Sequence, residues 1–183
     1  MKFQCAVKTL VLLLAVGCSR KADDPDPVQL PPDFGVVRHY YGAPIAPEYH
    51  FDYSITIDIA QPDTIMFHCD YLDGGDYDPP AWYESFDVSR ESLDSLFRLM
   101  VNLNAMRSSW RQVEYPPEGS PSSAMWIRAS TREFEIPTDV IDTGAVNPIY
   151  RMINTMVPQT IWDSLWSWRD QYIQNYPPSG PPR

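Results

Sequence analysis

Two neighbouring segments alternate strictly between apolar and polar residues, and this pattern constrains the fold more than any other feature of the chain. In residues 49–59 the apolar side chains that share one face are Phe51, Tyr53, Ile55, Ile57 and Ile59. After a predicted turn at residues 61–63, the same spacing returns at Ile65, Phe67, Cys69 and Tyr71. Successive side chains of a strand point to opposite faces, so the pair predicts an antiparallel hairpin with one buried face.

Helical spacing begins after a third predicted strand at residues 82–88. Ser89 is expected to cap this helix, because its hydroxyl can accept a hydrogen bond from a free backbone N–H. Val88 and Leu93 occupy the positions of a hydrophobic staple. The apolar stripe of the helix consists of Leu93, Leu96, Phe97, Met100 and Leu103. This spacing is typical of an amphipathic helix that packs on a core.

The second half of the chain also places strands before helices. Residues 125–129 and 134–136 predict a second hairpin. Asn147 and Pro148 predict a helix start, because Pro is favoured at the first helical position. Pro158 predicts the start of a last helix, whose tryptophans are Trp162, Trp166 and Trp168. This helix either covers the sheet or presents aromatic rings to a partner.

Together these elements predict a single α+β domain over residues 34–176, followed by a disordered tail at residues 177–183. Short hairpin connections favour an antiparallel sheet, and amphipathic helices need a face on which to bury their apolar stripe. We therefore expect a meander sheet packed on one face by about three helices.

The first 18 residues have the pattern of a bacterial export signal. Lys2 and Lys8 precede an apolar run at residues 9–16, which is shorter than the roughly 20 residues that a membrane span needs. The next residues lead to Cys18, and residues 14–18 (LAVGC) resemble the lipobox of bacterial lipoproteins, with Ala15 where that motif usually has Leu. The resemblance implies a signal peptide at residues 1–17 and a palmitate-type membrane anchor on Cys18. A plain secretory signal is the alternative.

The same resemblance implies where the domain is held. The residue after Cys18 is Ser19 rather than Asp, which resembles Gram-negative lipoproteins that are sent to the outer membrane. Such lipoproteins face the periplasm or the cell surface. Residues 18–33 are rich in Pro and Asp, and they predict a disordered tether. Removal of residues 1–17 takes away two lysines and no acid, which lowers the net charge from −10 to −12. Such a charge argues against nucleic acid and anionic lipid surfaces as partners.

Acidic residues are concentrated between Arg38 and Arg90, where ten acids and no Lys or Arg occur. Four of these carboxylates surround a Gly-Gly pair, and they are Asp70, Asp73, Asp76 and Asp78. Hard cations bind several oxygen atoms, so these four are candidate calcium ligands, although their spacing does not fit an EF-hand. The alternative is an acidic turn exposed to water.

Aromatic residues flank the same acidic loop, namely Tyr71, Tyr77, Trp82 and Tyr83. Aromatic faces beside carboxylates suit sugar rings and protein interfaces, which makes these four the candidate ligand-binding residues. Alternatively, they cover the edge of the sheet.

The sequence contains no recognisable catalytic set. His68 and Cys69 are neighbours in a predicted strand, so their side chains point to opposite faces, and burial is favoured for Cys69 over a reactive thiol. Zinc-protease, nucleophile-elbow and phosphate-loop motifs are missing from the sequence. We therefore expect no catalytic residues and no cofactor, in a lipoprotein that binds a protein or glycan partner. The alternatives are a hydrolase using carboxylates of residues 70–87 and a calcium-stabilised module.

Overall fold

The computed structural model describes residues 28–42, 51–69, 80–117 and 119–175. The strands of this part of the chain are β1 (Gly35–Tyr41), β2 (Asp52–Asp58), β3 (Asp63–His68), β4 (Ala81–Phe86), β5 (Ser122–Ala129) and β6 (Arg132–Ile136). The helices are α1 (Arg90–Asn102), α2 (Thr143–Met156) and α3 (Gln159–Asn175). The predicted α+β class is confirmed.

The strands form one antiparallel sheet in the order β4-β3-β2-β1-β5-β6. Strands β1 to β4 are a meander, and the β5–β6 hairpin returns after α1 to pair with the free side of β1. Strand β1 is therefore at the centre of the sheet, with partners on both sides. The sequence analysis did not predict this strand.

Helix α1 forms where the sequence places it. The Ser89 hydroxyl accepts a hydrogen bond from the Ser92 amide at 3.2 Å, which confirms the predicted cap. Four members of the predicted stripe are buried, namely Leu93, Leu96, Phe97 and Met100. The Phe97 ring meets Phe34 edge-to-face, with 5.3 Å between the ring centroids. The apolar stripe of α1 therefore packs against the core.

Helix α2 begins one turn earlier than predicted. Its N-cap is Asp142, whose side chain accepts a hydrogen bond from the Ala145 amide at 3.4 Å. Pro148 lies inside the helix, so the prediction that Asn147 and Pro148 start it was wrong. The missing Pro148 N–H removes a bond to the carbonyl of Gly144, which lies in the first turn of the helix.

Helix α3 begins directly after Pro158, as predicted, and it covers the sheet. Trp166 meets Phe51 and Phe67 edge-to-face, at centroid distances of 4.9 and 5.2 Å. Within this helix, Leu165 and Tyr172 are the buried residues. The first of the two interpretations of this helix is therefore confirmed, although Trp162 and Trp166 keep part of their surface exposed.

The ordered fold includes part of the segment predicted to be a tether. Leu30 packs against the core and Pro31 is buried. The Asp33 carboxylate accepts hydrogen bonds from the amides of Ser130 and Thr131, at 2.8 and 2.5 Å. Cys69 is fully buried, which confirms the prediction for its side chain. In the described residues, no helix is long and apolar enough to cross a membrane.

Candidate ligand-binding cleft

Arg38 is the residue from which the candidate cleft is built. It lies in the middle of β1 and faces the helices, between Met125 of β5 and Ile55 of β2, which are both fully buried. Only 4 % of Arg38 is exposed. A guanidinium keeps its charge under all ordinary conditions, so this position holds a buried positive charge between two apolar side chains.

The hydrogen bonds of Arg38 go to neutral acceptors. Its Nη1 donates to the Asn154 side-chain oxygen and to the Tyr150 carbonyl, the latter at 3.4 Å. Its Nη2 donates to the Ser123 hydroxyl at 3.2 Å. Its Nε is buried and has no hydrogen-bond acceptor among the described residues. The guanidinium is thus held in place while part of its donor capacity is unused.

No described carboxylate neutralises this charge. The ion pairs formed among residues 28–42, 51–69, 80–117 and 119–175 use other arginines, namely Arg98, Arg107, Arg128 and Arg169. The Tyr150 ring lies 4.6 Å from the guanidinium carbon. Burial raises the pKa of Tyr150 to about 12, so its phenol stays neutral and contributes a cation–π contact to Arg38 but no negative charge.

A cavity of about 520 Å³ opens beside the guanidinium. Its lining includes Arg38, Ser123 and Tyr150 together with the exposed Arg151 and the half-buried Asp139. We call it the arginine cavity. Buried charge without a carboxylate partner is costly for a fold to keep, and an external anion would offset part of that cost.

A second cavity of about 600 Å³ adjoins the first, and we call it the aromatic cavity. The aromatic residues in its lining are Tyr40, Phe51, Tyr53, Trp162 and Trp166. The rings of Tyr40 and Tyr53 stack with 4.7 Å between centroids, because the two residues are directly paired across β1 and β2. Trp162 and Trp166 stack on each other at 6.2 Å, one turn apart on α3. The cavity therefore has flat apolar walls.

Asn154 and Tyr40 line both cavities, so the two are neighbours, and together we call them the arginine–aromatic cleft. The Asn154 amide accepts from Arg38 and donates to the Tyr53 hydroxyl at 3.4 Å. The Asn154 carbonyl accepts from the Trp162 indole N–H at 3.2 Å. One residue of α2 thereby fixes the cation, the sheet aromatics and α3 relative to one another, which pre-organises the cleft.

The described lining residues of the cleft supply hydrogen-bond donors and flat rings. Asp139 is the one carboxylate among its described lining residues, and the cleft has no described His or Cys. Common hydrolytic mechanisms use either two carboxylates or a nucleophile paired with a base. His39 neighbours Arg38 in β1 but points to the opposite face, where it meets Trp126 at 5.2 Å. The geometry suits recognition of an anion joined to a flat group.

Of the four aromatic residues predicted to bind a ligand, the structure describes Trp82 and Tyr83, and it places them on opposite faces of β4. Trp82 faces α3, where its ring lies 6.2 Å from Trp168. Tyr83 points to the other face of β4 and is 69 % exposed. These two residues therefore do not share a surface. Tyr71 and Tyr77 lie outside the described residues.

The predicted calcium ligands Asp70, Asp73, Asp76 and Asp78 also lie outside the described residues, as does Cys18. Among the residues that the structure does describe, no group of three or more His, Cys, Asp or Glu side chains could hold a metal ion. Of the hydrolase carboxylates proposed at residues 70–87, the described ones are Glu84 and Asp87. Glu84 is half-buried on β4, and Asp87 is exposed.

The sequence analysis missed Arg38 because it used this residue only to mark the border of the acidic segment. A usable pattern was present: Val36, Arg38 and Tyr40 alternate on one face of a strand, and the charge occupies an apolar position. A charged residue in the apolar register of a strand breaks a local rule, which is common at functional sites.

No family model matches this chain, and no curated protein matches it. Its function is therefore inferred from the chemistry of the cleft.

Proposed function

We propose that this protein is a non-catalytic, lipid-anchored envelope protein that binds an anionic group of a glycan or protein partner in the arginine–aromatic cleft. The observation that carries the proposal is Arg38, a buried cation that lines a cavity and has no described carboxylate partner. Charge-assisted hydrogen bonds to an anion are about twice as strong as neutral ones. The aromatic cavity supplies apolar area for the rest of the ligand.

Benzoate tests this proposal, because it joins one carboxylate to one flat ring. Residues 19–183 retain every described strand and helix, and their amide NMR spectrum is recorded with benzoate and with neutral benzamide. We expect shifts at Arg38, Asn154 and Trp162 with benzoate and much weaker shifts with benzamide. Arg38→Met should remove the benzoate response. Arg132→Met is the matched control, because Arg132 is an exposed arginine of β6.

Equal responses to benzoate and benzamide would contradict the proposal. So would a benzoate response that survives Arg38→Met, since the ligand would then bind outside the cleft or without its charge.

The anchoring part of the proposal places the lipid on Cys18, at the outer membrane of a Gram-negative cell, with the domain facing the periplasm or the cell surface. The lipobox-like residues 14–18 support it. Metabolic labelling with an alkynyl palmitate should mark the full chain, and Cys18→Ser should abolish the label. Cys5→Ser is the control and should keep it, because Cys5 belongs to the predicted signal peptide. Label retained in Cys18→Ser would overturn the anchor.

A further inference from the structure

We propose that the occupant of the cleft is an oligosaccharide with a single acidic sugar, which places its carboxylate on Arg38 and neighbouring neutral sugar rings in the aromatic cavity. This inference rests on the proposed function, because it names the ligand class of the same cleft. Three properties of the cleft lead to it: the number of available cations, the shape and polarity of the aromatic walls, and the pairing of the central strand.

The cation count favours a single carboxylate over a phosphate. Arg38 is the buried cation, and the exposed Arg151 lines the arginine cavity together with Asp139. Arg169 lies over the Trp166 ring of the aromatic cavity, but it is paired with Asp170 at 2.6 Å. The first turn of α2, which borders this cavity, is already capped by the Asp142 carboxylate. Helix N-termini bind phosphate through free amides and the positive end of the dipole, and here an acid occupies that end. The remaining charge matches one planar monoanion.

The aromatic cavity has the features that sugar rings require. Trp162 and Trp166 are nearly parallel, with 18° between their ring planes. Their faces are joined in the lining by the polar side chains of Asn154, Thr155 and Gln159. Aromatic faces cover the apolar C–H side of a sugar, and amides and hydroxyls bond its hydroxyl groups. The indole N–H of Trp162 is fixed on Asn154, so this wall loses little freedom on binding.

The strand pairing disfavours an extended acidic peptide. Such peptides commonly bind by adding a strand to an open sheet edge, which satisfies their backbone groups. The strands beneath the cleft are β1, β2 and β5, and each is paired on both sides. Prolines at the cleft rim, including Pro116, Pro117 and Pro158, supply no backbone N–H. A glycan needs no strand edge, because its hydroxyls bond side chains.

Calorimetric titration of residues 19–183 with cellobiouronate, a disaccharide of one glucuronate and one glucose, tests this inference. We expect the disaccharide to bind and its carboxyl-reduced form, cellobiose, to bind at least about tenfold more weakly, as expected when a charged hydrogen bond is lost. Arg38→Met should have the same effect, and Arg132→Met should have none. Trp166→Ala should weaken binding of the disaccharide by about fivefold or more, because the cavity loses aromatic contact area. The comparison of acidic with reduced sugar requires no variant to fold.

The N-acetylated tripeptide amide Ala-Ala-Glu, which carries one carboxylate, and benzoate separate the possible failures. Tighter binding of this peptide than of cellobiouronate would overturn the sugar assignment in favour of an acidic peptide. Equal binding of cellobiouronate and cellobiose would also overturn it. If benzoate binds with Arg38 dependence while cellobiouronate does not bind, the ligand class is wrong and the anion-binding cleft stands. If neither binds, the proposed function fails as well.

Discussion

Arg38 and Asp63 are the two charged residues that the described fold buries, and they are buried in different ways. Their exposed fractions are similar, 4 % and 7 %. Both oxygens of Asp63 are used, because Oδ1 accepts from the Asp58 amide at 3.1 Å and Oδ2 accepts from the Val88 amide at 2.8 Å. Arg38 has only neutral partners, its buried Nε has no described acceptor, and the residue lines a cavity.

The comparison shows that burial of a charge does not by itself mark a binding site. Asp63 ties the turn between β2 and β3 to the segment that leads into α1, so its bonds explain its position. The bonds of Arg38 hold the side chain without using its full donor capacity. A buried charge that lines a cavity and has only neutral partners is the property that points to a ligand. The predictions below test whether this distinction holds.

The largest effect is expected from Asp63→Ala. The change leaves the amides of Asp58 and Val88 without their acceptor, and each such loss costs about 1–3 kcal/mol. We expect the free energy of unfolding to fall by about 2–5 kcal/mol in urea titrations. Glu114→Ala, at an exposed acid in the loop between α1 and β5, is the control and should stay within about 0.5 kcal/mol. If Asp63→Ala changed the free energy of unfolding as little as the control does, water would be replacing this acceptor.

The next largest effect concerns the stability that Asp63 contributes and its dependence on pH. Burial raises the pKa of Asp63 above its ordinary value of 3.8. The folded state therefore holds the proton more tightly, and the stability contributed by Asp63 falls as pH rises from 3.8 through the raised pKa. Unfolding free energies of wild type and Asp63→Asn are compared across this window. The wild type should lose stability relative to the Asn variant as pH rises, and a gain would contradict the prediction.

Asp33 should show the opposite slope, although it makes the same kind of bonds. Its carboxylate also accepts two backbone amides, but Asp33 is only half-buried, and the bond from Thr131 lowers the pKa of Asp33 below 3.8. Its contribution is present above pH 3.8 and is lost as pH falls through the lowered pKa. The stability of wild type relative to Asp33→Asn should therefore decrease on acidification. A slope of the same sign as that of Asp63 would show that burial does not separate the two acids.

The sequence predicts most of the fold and little of the cleft. Strands β2 to β6 and helix α1 follow from periods of two and 3.6 residues, because each buries one continuous apolar face. Strand β1 escapes this reasoning because Arg38 interrupts its apolar face. The start of α2 was misplaced because the capping by Asp142 outweighs the preference of Pro148 for the first turn.

The cleft itself depends on contacts between residues far apart in the chain. Arg38, Ser123 and Asn154 meet only because β5 pairs with β1 and α2 crosses the sheet above them. Spacing along a sequence carries no information on such a meeting. The predicted aromatic site shows the same limit, since Trp82 and Tyr83 are adjacent in sequence but lie on opposite faces of β4.

The smallest effect on stability is expected from Arg38→Met, and it is the decisive contrast with Asp63. Methionine fills much of the same volume between Met125 and Ile55 and removes a buried charge that has no described counter-ion, which favours the variant. The Asn154 amide and the Ser123 hydroxyl lose a donor, which opposes that gain. We expect the free energy of unfolding to change by no more than about 1 kcal/mol, while benzoate binding is lost. If Arg38→Met instead lost about 3 kcal/mol and kept the benzoate response, Arg38 would be a structural charge like Asp63.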